Sequence, residues 1–205
     1  MKKPLIVLTG PTAVGKTKLS IALAKAVNGE IISADSMQVY RHMDIGSAKI
    51  TPEEMDGVPH HLVDVLEPTE DFNIVLFQQM AKEAMEKIYD KGRIPILVGG
   101  TGFYIQAILN DIDFKENEDD GYRSHLEAMA ASDGGPERLY EMLKEVDPES
   151  TEKIHCHNTK RVIRALEYFH QTGQKISEHN EQESRKESPY NFAYFVLNRP
   201  REVLY

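Results

Sequence analysis

The chain opens on an apolar run, Pro4-Leu5-Ile6-Val7-Leu8-Thr9, stopped by Gly10. A short β-rich run without polar positions suits a strand buried on both faces of a parallel sheet. From Lys16 to Val27 the apolar positions become Leu19, Ala22, Leu23, Ala26 and Val27. That spacing is one face of a helix, and Asn28-Gly29 closes it. Glu30 to Ala34 predicts a second strand with Asp35 at its carboxyl end, and His61 to Leu66 a third. Asn73 to Tyr89 has the period of a long amphipathic helix, with Asn73 as its cap and Lys91-Gly92 as its stop. Arg93 to Val98 predicts a fourth strand running into Gly99-Gly100-Thr101-Gly102. The alternation gives an α/β fold, a three-layer parallel sheet whose ligands bind at the carboxyl ends of the strands.

After Leu109 the pattern changes. Residues 115–120 read as a solvated connector, and helical spacing then recurs over Tyr122–Ala131, Pro136–Val146, Ser150–His155 and Thr159–His170. Phe192 to Leu197 returns to strand chemistry, and Pro200 to Tyr205 reads as a helix cut off in its first turn. The expected organisation is a core domain of residues 1–113 and 190–205, truncated at its carboxyl end, and a helical insertion domain of residues 114–189.

Composition narrows the function classes. The formal net charge of −9 excludes a globally basic nucleic-acid binder, yet residues 111–158 carry −9 alone while residues 159–205 carry +2. A local basic stripe is therefore open. One cysteine, Cys156, excludes a disulfide framework or a cysteine-rich zinc site, and His60-His61 lacks a carboxylate at metal spacing. The apolar runs are far shorter than a membrane span needs. The expectation is a cytoplasmic, membrane-free monomer.

Gly10-Pro11-Thr12-Ala13-Val14-Gly15-Lys16-Thr17 fits the phosphate-loop pattern, between a strand and a helix as it requires. Glycines let successive backbone N–H groups face one anion, and the helix adds its positive end. Lys16 brings an ammonium to the outer phosphate, and the Thr17 hydroxyl can hold Mg²⁺. The loop alone leaves open a nucleotide (ATP) whose phosphoryl group is transferred, or a diphosphate that leaves from carbon. Asp35 has two readings, a general base toward a nucleophile or a local helix cap or Mg²⁺ outer-shell group. Gly99-Gly100-Thr101 stands where many nucleotide hydrolases carry a carboxylate, which weakens an ATPase reading.

The run Gly10–Thr17, then Ile32–Tyr40, Met43–Lys49, Val58–Asp64, Gly92–Pro95, Val98–Tyr104 and Lys160–Glu167 together resemble the tRNA dimethylallyltransferase (tRNA isopentenyltransferase) family. The match runs in order over essentially the whole chain. It implies a P-loop NTPase-like sheet with a helical insertion that contacts tRNA. It implies transfer of a dimethylallyl group from dimethylallyl diphosphate, with Mg²⁺, to the exocyclic amine of the adenine 3′ of the tRNA anticodon. Carried over residue by residue, Gly10, Pro11, Thr12, Ala13, Val14, Gly15, Lys16 and Thr17 hold the diphosphate. Thr12 sits near the breaking bond, Thr17 holds the metal, and Asp35 is the general base. Asp35, Ser36, Met37 and Gln38 would contact the flipped-out adenine. Thr101, Arg123 and the segment Thr159, Lys160, Arg161, Val162 and Ile163 would contact tRNA. Without the resemblance, Lys160, Arg161 and Arg164 read as a solvated helix face pairing with Glu167. Tyr40, Phe103 and Tyr104 are candidates to stack on a base or prenyl group, with core packing the expectation for at least one. Family members continue well beyond Tyr205, so exposed apolar surface on the sheet and aggregation are expected here. Competing readings are a P-loop small-molecule kinase, an isopentenyltransferase acting on free adenine nucleotide, and a non-catalytic nucleotide-binding module.

Overall fold

The computed structural model describes residues 2–112, 120–200 and 202. The connector over 115–119 and most of the helix read at 200–205 lie outside them. The chain divides into two compact units, Met1–Ile112 with Glu187–Tyr205, and Asp113–Lys186.

The first unit is built on five parallel strands, β1 (Lys3–Thr9), β2 (Gly29–Ser33), β3 (His60–His61), β4 (Ile94–Gly99) and β5 (Tyr190–Val196), in the order β3-β2-β4-β1-β5. Successive side chains alternate between its faces. Ile31 and Ile96 therefore pack with Ala24 of α1 (Lys16–Val27) on one face. Leu5, Val7, Ile32 and Leu97 pack on the other with Phe77, Ala81 and Ile88 of α2 (Ile74–Asp90) and Ile105 and Ile108 of α3 (Gly102–Leu109). These are the three layers expected. Asn73 caps α2, its side chain accepting from the N–H groups of Val75 and Leu76, both at 3.0 Å.

Two elements differ from expectation. The third strand is only His60–His61, because Leu62 and Asp64 take left-handed conformations (φ 62° and 53°) that end the ladder. Leu66 instead makes an isolated parallel bridge with Tyr40. Helix α3 carries no amphipathic period to read, because five of its eight residues are buried.

The second unit holds α4 (Tyr122–Ala130), α5 (Gly135–Val146), α6 (Pro148–Lys153), α7 (Thr159–Thr172) and α8 (Ile176–Arg185). Leu126, Leu139, Leu143, Val162, Ile163 and Leu166 form its core. Helix α8 buries only Ser177 and Glu183, so no apolar stripe announced it. Among the described residues no helix is long and apolar enough to cross a membrane.

Candidate active site

The turn between β1 and α1 is made by residues the backbone requires. A Cβ on Gly10 (φ 150°) would lie 2.3 Å from the Leu197 carbonyl oxygen. Ala13 and Gly15 are left-handed, at φ 65° and 97°. Val14 is the loop's buried anchor, whereas Pro11, Thr12, Ala13 and Thr17 are exposed. No side chain caps the start of α1, so its first N–H groups are left for a ligand or water. Lys16 folds back into this turn, its Nζ donating to the carbonyls of Gly10 (2.8 Å) and Pro11 (2.7 Å). Burial lowers the Lys16 pKa, and the Asp35 carboxylate opposes that effect without cancelling it.

Asp35 follows β2, interior to the sheet and next to β4, whose neighbour on its other side is β1. Its Oδ1 accepts from the N–H groups of Met37 (2.8 Å) and Gln38 (3.3 Å). These bonds close a turn over residues 36–39 with one oxygen, and no helix starts there, so the helix-cap reading is not met. Lys16, Thr17, Asp35, Gln38 and His60 line a single small cavity of about 60 Å³, floored by Val98 and Gly99. Gly99 is required there, since a Cβ would meet the Ala34 carbonyl oxygen at 2.1 Å. A larger hollow of about 410 Å³ lies by Lys2, Tyr190, Asn191 and Phe192 at the amino end of the sheet, without convergent polar groups.

Sequence reasoning dismissed His60 as a metal ligand and missed it as a wall of this cavity. Its Nδ1 lies 2.8 Å from the Val58 carbonyl, an obligatory acceptor, so Nδ1 carries a hydrogen and Nε2 is the lone-pair nitrogen of the neutral ring. Burial, opposed by the Val58 bond, lowers the pKa, and neighbouring His61 lowers it further. His61 turns the other way, to the fully buried Glu30 (2.7 Å), which also binds Lys91 and Arg93. Burial alone would raise the Glu30 pKa, but those three donors hold it below the ordinary 4.5.

Ser36 and Met37 are exposed, and Thr101 occupies the cap position of α3 without a side-chain capping bond. Tyr104 is a core residue, stacked on Phe77 with ring centres 4.3 Å apart. In the second unit, Arg123 binds Glu127 (3.1 Å) and Glu167 (2.9 Å). Glu167 is therefore paired with α4 rather than with the basic residues of its own helix. Lys160, Arg161 and Arg164 are exposed on α7, while the side chains of Val162 and Ile163 are packed in the unit's core. Among the described residues no cluster of three or more His, Cys, Asp or Glu side chains is placed to hold a metal.

A parallel sheet with a glycine loop and lysine between its interior strand β1 and the following helix defines a P-loop NTPase-like protein. The comparisons are more specific. The family model for IPP transferase matches residues 38–205. The tRNA dimethylallyltransferase of Lachnoclostridium phytofermentans is 64% identical over 204 residues, covering 99% of this chain and 65% of that protein. That of Bacillus pumilus is 54% identical over 206 residues, covering 100% and 64%. Among solved structures, the full-length tRNA isopentenylpyrophosphate transferase of Bacillus halodurans is 46% identical with a TM-score of 0.65, covering 100% of this chain and 62% of that one. A eukaryotic dimethylallyltransferase acting on tRNA is 35% identical with a TM-score of 0.85, covering 98% and 50%. The chain belongs to the IPP transferase family, and it spans just under two thirds of the length of the relatives it matches.

Proposed function

We propose that this chain carries the donor cradle and the acceptor corner of a tRNA dimethylallyl transfer site. The observation that carries this is one cavity walled by both a phosphate-loop lysine and a carboxylate, Lys16 and Asp35, in a chain whose relatives are named for that transfer. The absence of a carboxylate at the end of β4, where Gly99 and Gly100 stand, favours a leaving diphosphate over nucleotide hydrolysis.

In this account Lys16 exchanges its two carbonyl partners for phosphate oxygens, joined by the loop N–H groups and the positive end of α1. The residues fit a Mg²⁺ ion: Thr17 supplies one hard oxygen donor, and diphosphate and water supply the rest, the usual arrangement for this ion. When bound, Mg²⁺ neutralises part of the diphosphate charge. Thr12 is exposed on the loop and is not one of the cavity walls; its proposed place is beside the bond that breaks. The adenine N6 attacks the allylic carbon and the carbon–oxygen bond breaks. Its electron pair leaves on the diphosphate, and the N6 proton passes to Asp35 through the oxygen not used in that turn. An adenine stacked in an anticodon loop must be extruded to reach this cavity.

Asp35, Ser36, Met37 and Gln38 are the proposed base contacts, and Thr101 a contact to the surrounding RNA. In the second unit, half-buried Thr159 and exposed Lys160 and Arg161 offer side chains to the backbone phosphates, whereas Val162 and Ile163 contribute main chain only. Arg123 must exchange a carboxylate for phosphate to take part. The active form is proposed to be monomeric and cytoplasmic.

The experiment is a competition at the cradle with Mg²⁺. Dimethylallyl diphosphate is expected to bind saturably to the wild type, to be displaced by inorganic diphosphate, and to bind at least tenfold more weakly (about 1.4 kcal/mol) to Lys16→Ala. Preferential, productive binding of ATP would instead support the kinase reading.

A further inference from the structure

Lys49 is a buried charge with no role in the site described above, its side chain only 3% exposed. Its Nζ meets three acceptors, the Tyr40 carbonyl (2.7 Å), Asp44 Oδ1 (2.7 Å) and Asp64 Oδ1 (2.6 Å). An ammonium has three hydrogens, so Lys49 has no hydrogen left for a substrate. Its acceptors join the stretch 40–44 to Asp64, a connection that Arg41 Nε also makes to the Asp64 carbonyl (3.0 Å). Burial alone would lower its pKa, and the bonds to Asp44 and Asp64 outweigh that and raise it.

What this knot holds is Gln38. Residues 38–41 run beside 64–66 through Asp64 N–H to Gln38 O (3.1 Å), Val65 N–H to Val39 O (2.9 Å) and Arg41 N–H to Leu66 O (2.8 Å). The Gln38 side chain donates from Nε2 to the carbonyl of Ala48 (3.1 Å), the residue before Lys49. Its Oε1 accepts from the Ser33 hydroxyl at 3.5 Å. A carbonyl only accepts, so the amide has one orientation, nitrogen toward Ala48 and oxygen toward Ser33. Ala48 and Asp64 are both left-handed (φ 50° and 53°), a conformation with a cost in non-glycine residues that the surroundings must sustain. Gln38 lines the cavity beside Asp35, with one amide hydrogen and one oxygen lone pair still available. That donor–acceptor pair complements an adenine edge, which offers a ring nitrogen acceptor and the exocyclic N–H.

We infer that Lys49 is a positioning residue for the acceptor: through Asp64 and Ala48 it fixes the Gln38 amide and so sets the preference for a base with a 6-amino group. This rests on the site proposed above, but the fixing of Gln38 is measurable without turnover.

The test uses the full chain with Lys49→Met, Asp64→Asn and Asp44→Asn. Lys49→Met and Asp64→Asn are expected to speed backbone hydrogen exchange at residues 38–41 and 48–50 by about 100-fold, leaving β1 and α1 unchanged. Their affinity for inorganic diphosphate should stay within about twofold of wild type. In the transfer assay the KM for an adenine stem-loop should rise about 10- to 100-fold with the donor KM unchanged, and the adenine stem-loop's binding advantage over an inosine stem-loop, used as a non-reacting competitor, should shrink. Asp44→Asn should resemble wild type, because Asp44 lies on the same stretch as Tyr40, whereas Asp64 is the partner whose own N–H meets the Gln38 carbonyl. Unchanged exchange at 38–41, a uniform rise that includes β1, or an Asp44 effect as large as that of Asp64 would each overturn the inference. Should the wild type transfer nothing, the site reading fails, and exchange with diphosphate affinity still decides whether Lys49 fixes Gln38.

Discussion

At the scale of single residues, Asp35 closes a turn with one oxygen and is proposed to act as base with the other, and substitution can separate the two roles. Asp35→Asn keeps an oxygen for the N–H groups of Met37 and Gln38 and removes the base. It is expected to lower the transfer rate by about 10²- to 10⁴-fold while melting and diphosphate binding stay near wild type. Asp35→Ala should lose the rate and also about 1 kcal/mol of stability, because the bonds to the Met37 and Gln38 N–H groups that close the turn go too. Near-normal turnover in Asp35→Asn would remove the base role. The loop from Gly10 to Thr17 and Asp35 were legible in the sequence because their chemistry is local: glycine spacing, a lysine, and a carboxylate closing a strand. His60, Lys49 and Glu30 were not, because what defines them is tertiary. The Glu30 partners His61, Lys91 and Arg93 arrive from β3 and the chain entering β4. Tyr104 shows the converse: its neighbours in sequence suggested a stacking surface, and Phe77 from α2 claims its face.

At the scale of elements, periodicity located the strands and helices whose two sides differ and failed where they do not. β2 and β4 are apolar runs bounded by glycine or turn residues, α7 has a clean stripe, and all three were legible. α3 is buried nearly all round and α8 nearly bare, so neither carries a period. The third strand misled because Leu62 and Asp64 bend the chain toward the loop tied by Lys49. Contact between elements makes its own predictions. Gly99→Ala would force β4 away from the Ala34 carbonyl that precedes Asp35. It is expected to cost about 1–3 kcal/mol in denaturant melts and to lower transfer as well. In the second unit, buried Asp147 accepts from the N–H and hydroxyl of both Ser150 and Ser177, joining the starts of α6 and α8. Burial alone would raise its pKa, and the four bonds hold it below the ordinary 3.8. A carboxyl depressed in the folded state stabilises it above the unfolded value. Its contribution is therefore complete at neutral pH and is lost as pH falls below about 3.8 toward the folded value. Asp147→Asn should destabilise by about 1–3 kcal/mol at neutral pH and flatten that acid limb; an unchanged acid limb would contradict the assignment.

At the scale of the whole molecule, no described residue pairs with the outer edge of β5 in the parallel sheet. Every residue of β5 after Tyr190 is exposed, including Phe192, Tyr194, Phe195 and Val196 at 42–64%. Open edges with apolar side chains pair with other chains. The apparent mass from light scattering should therefore rise with protein concentration despite the net charge of −9, and Phe195→Lys should suppress that rise. A monomer at all concentrations would contradict this. The acidic stretch before α7 and the basic start of α7 were both legible as charge blocks, because net charge needs no fold to be counted. The central claim is that Lys16 and Asp35 serve one transfer of a prenyl group to adenine. Its most direct test is label transfer from dimethylallyl diphosphate, with Mg²⁺, to an unmodified anticodon stem-loop, with ATP and with free adenine nucleotide in parallel. The account predicts label on the exocyclic amine of the adenine 3′ of the anticodon, lost in Asp35→Asn, with no ATP consumed. Consumption of ATP without prenylation, or label on free nucleotide but not on the stem-loop, would contradict it.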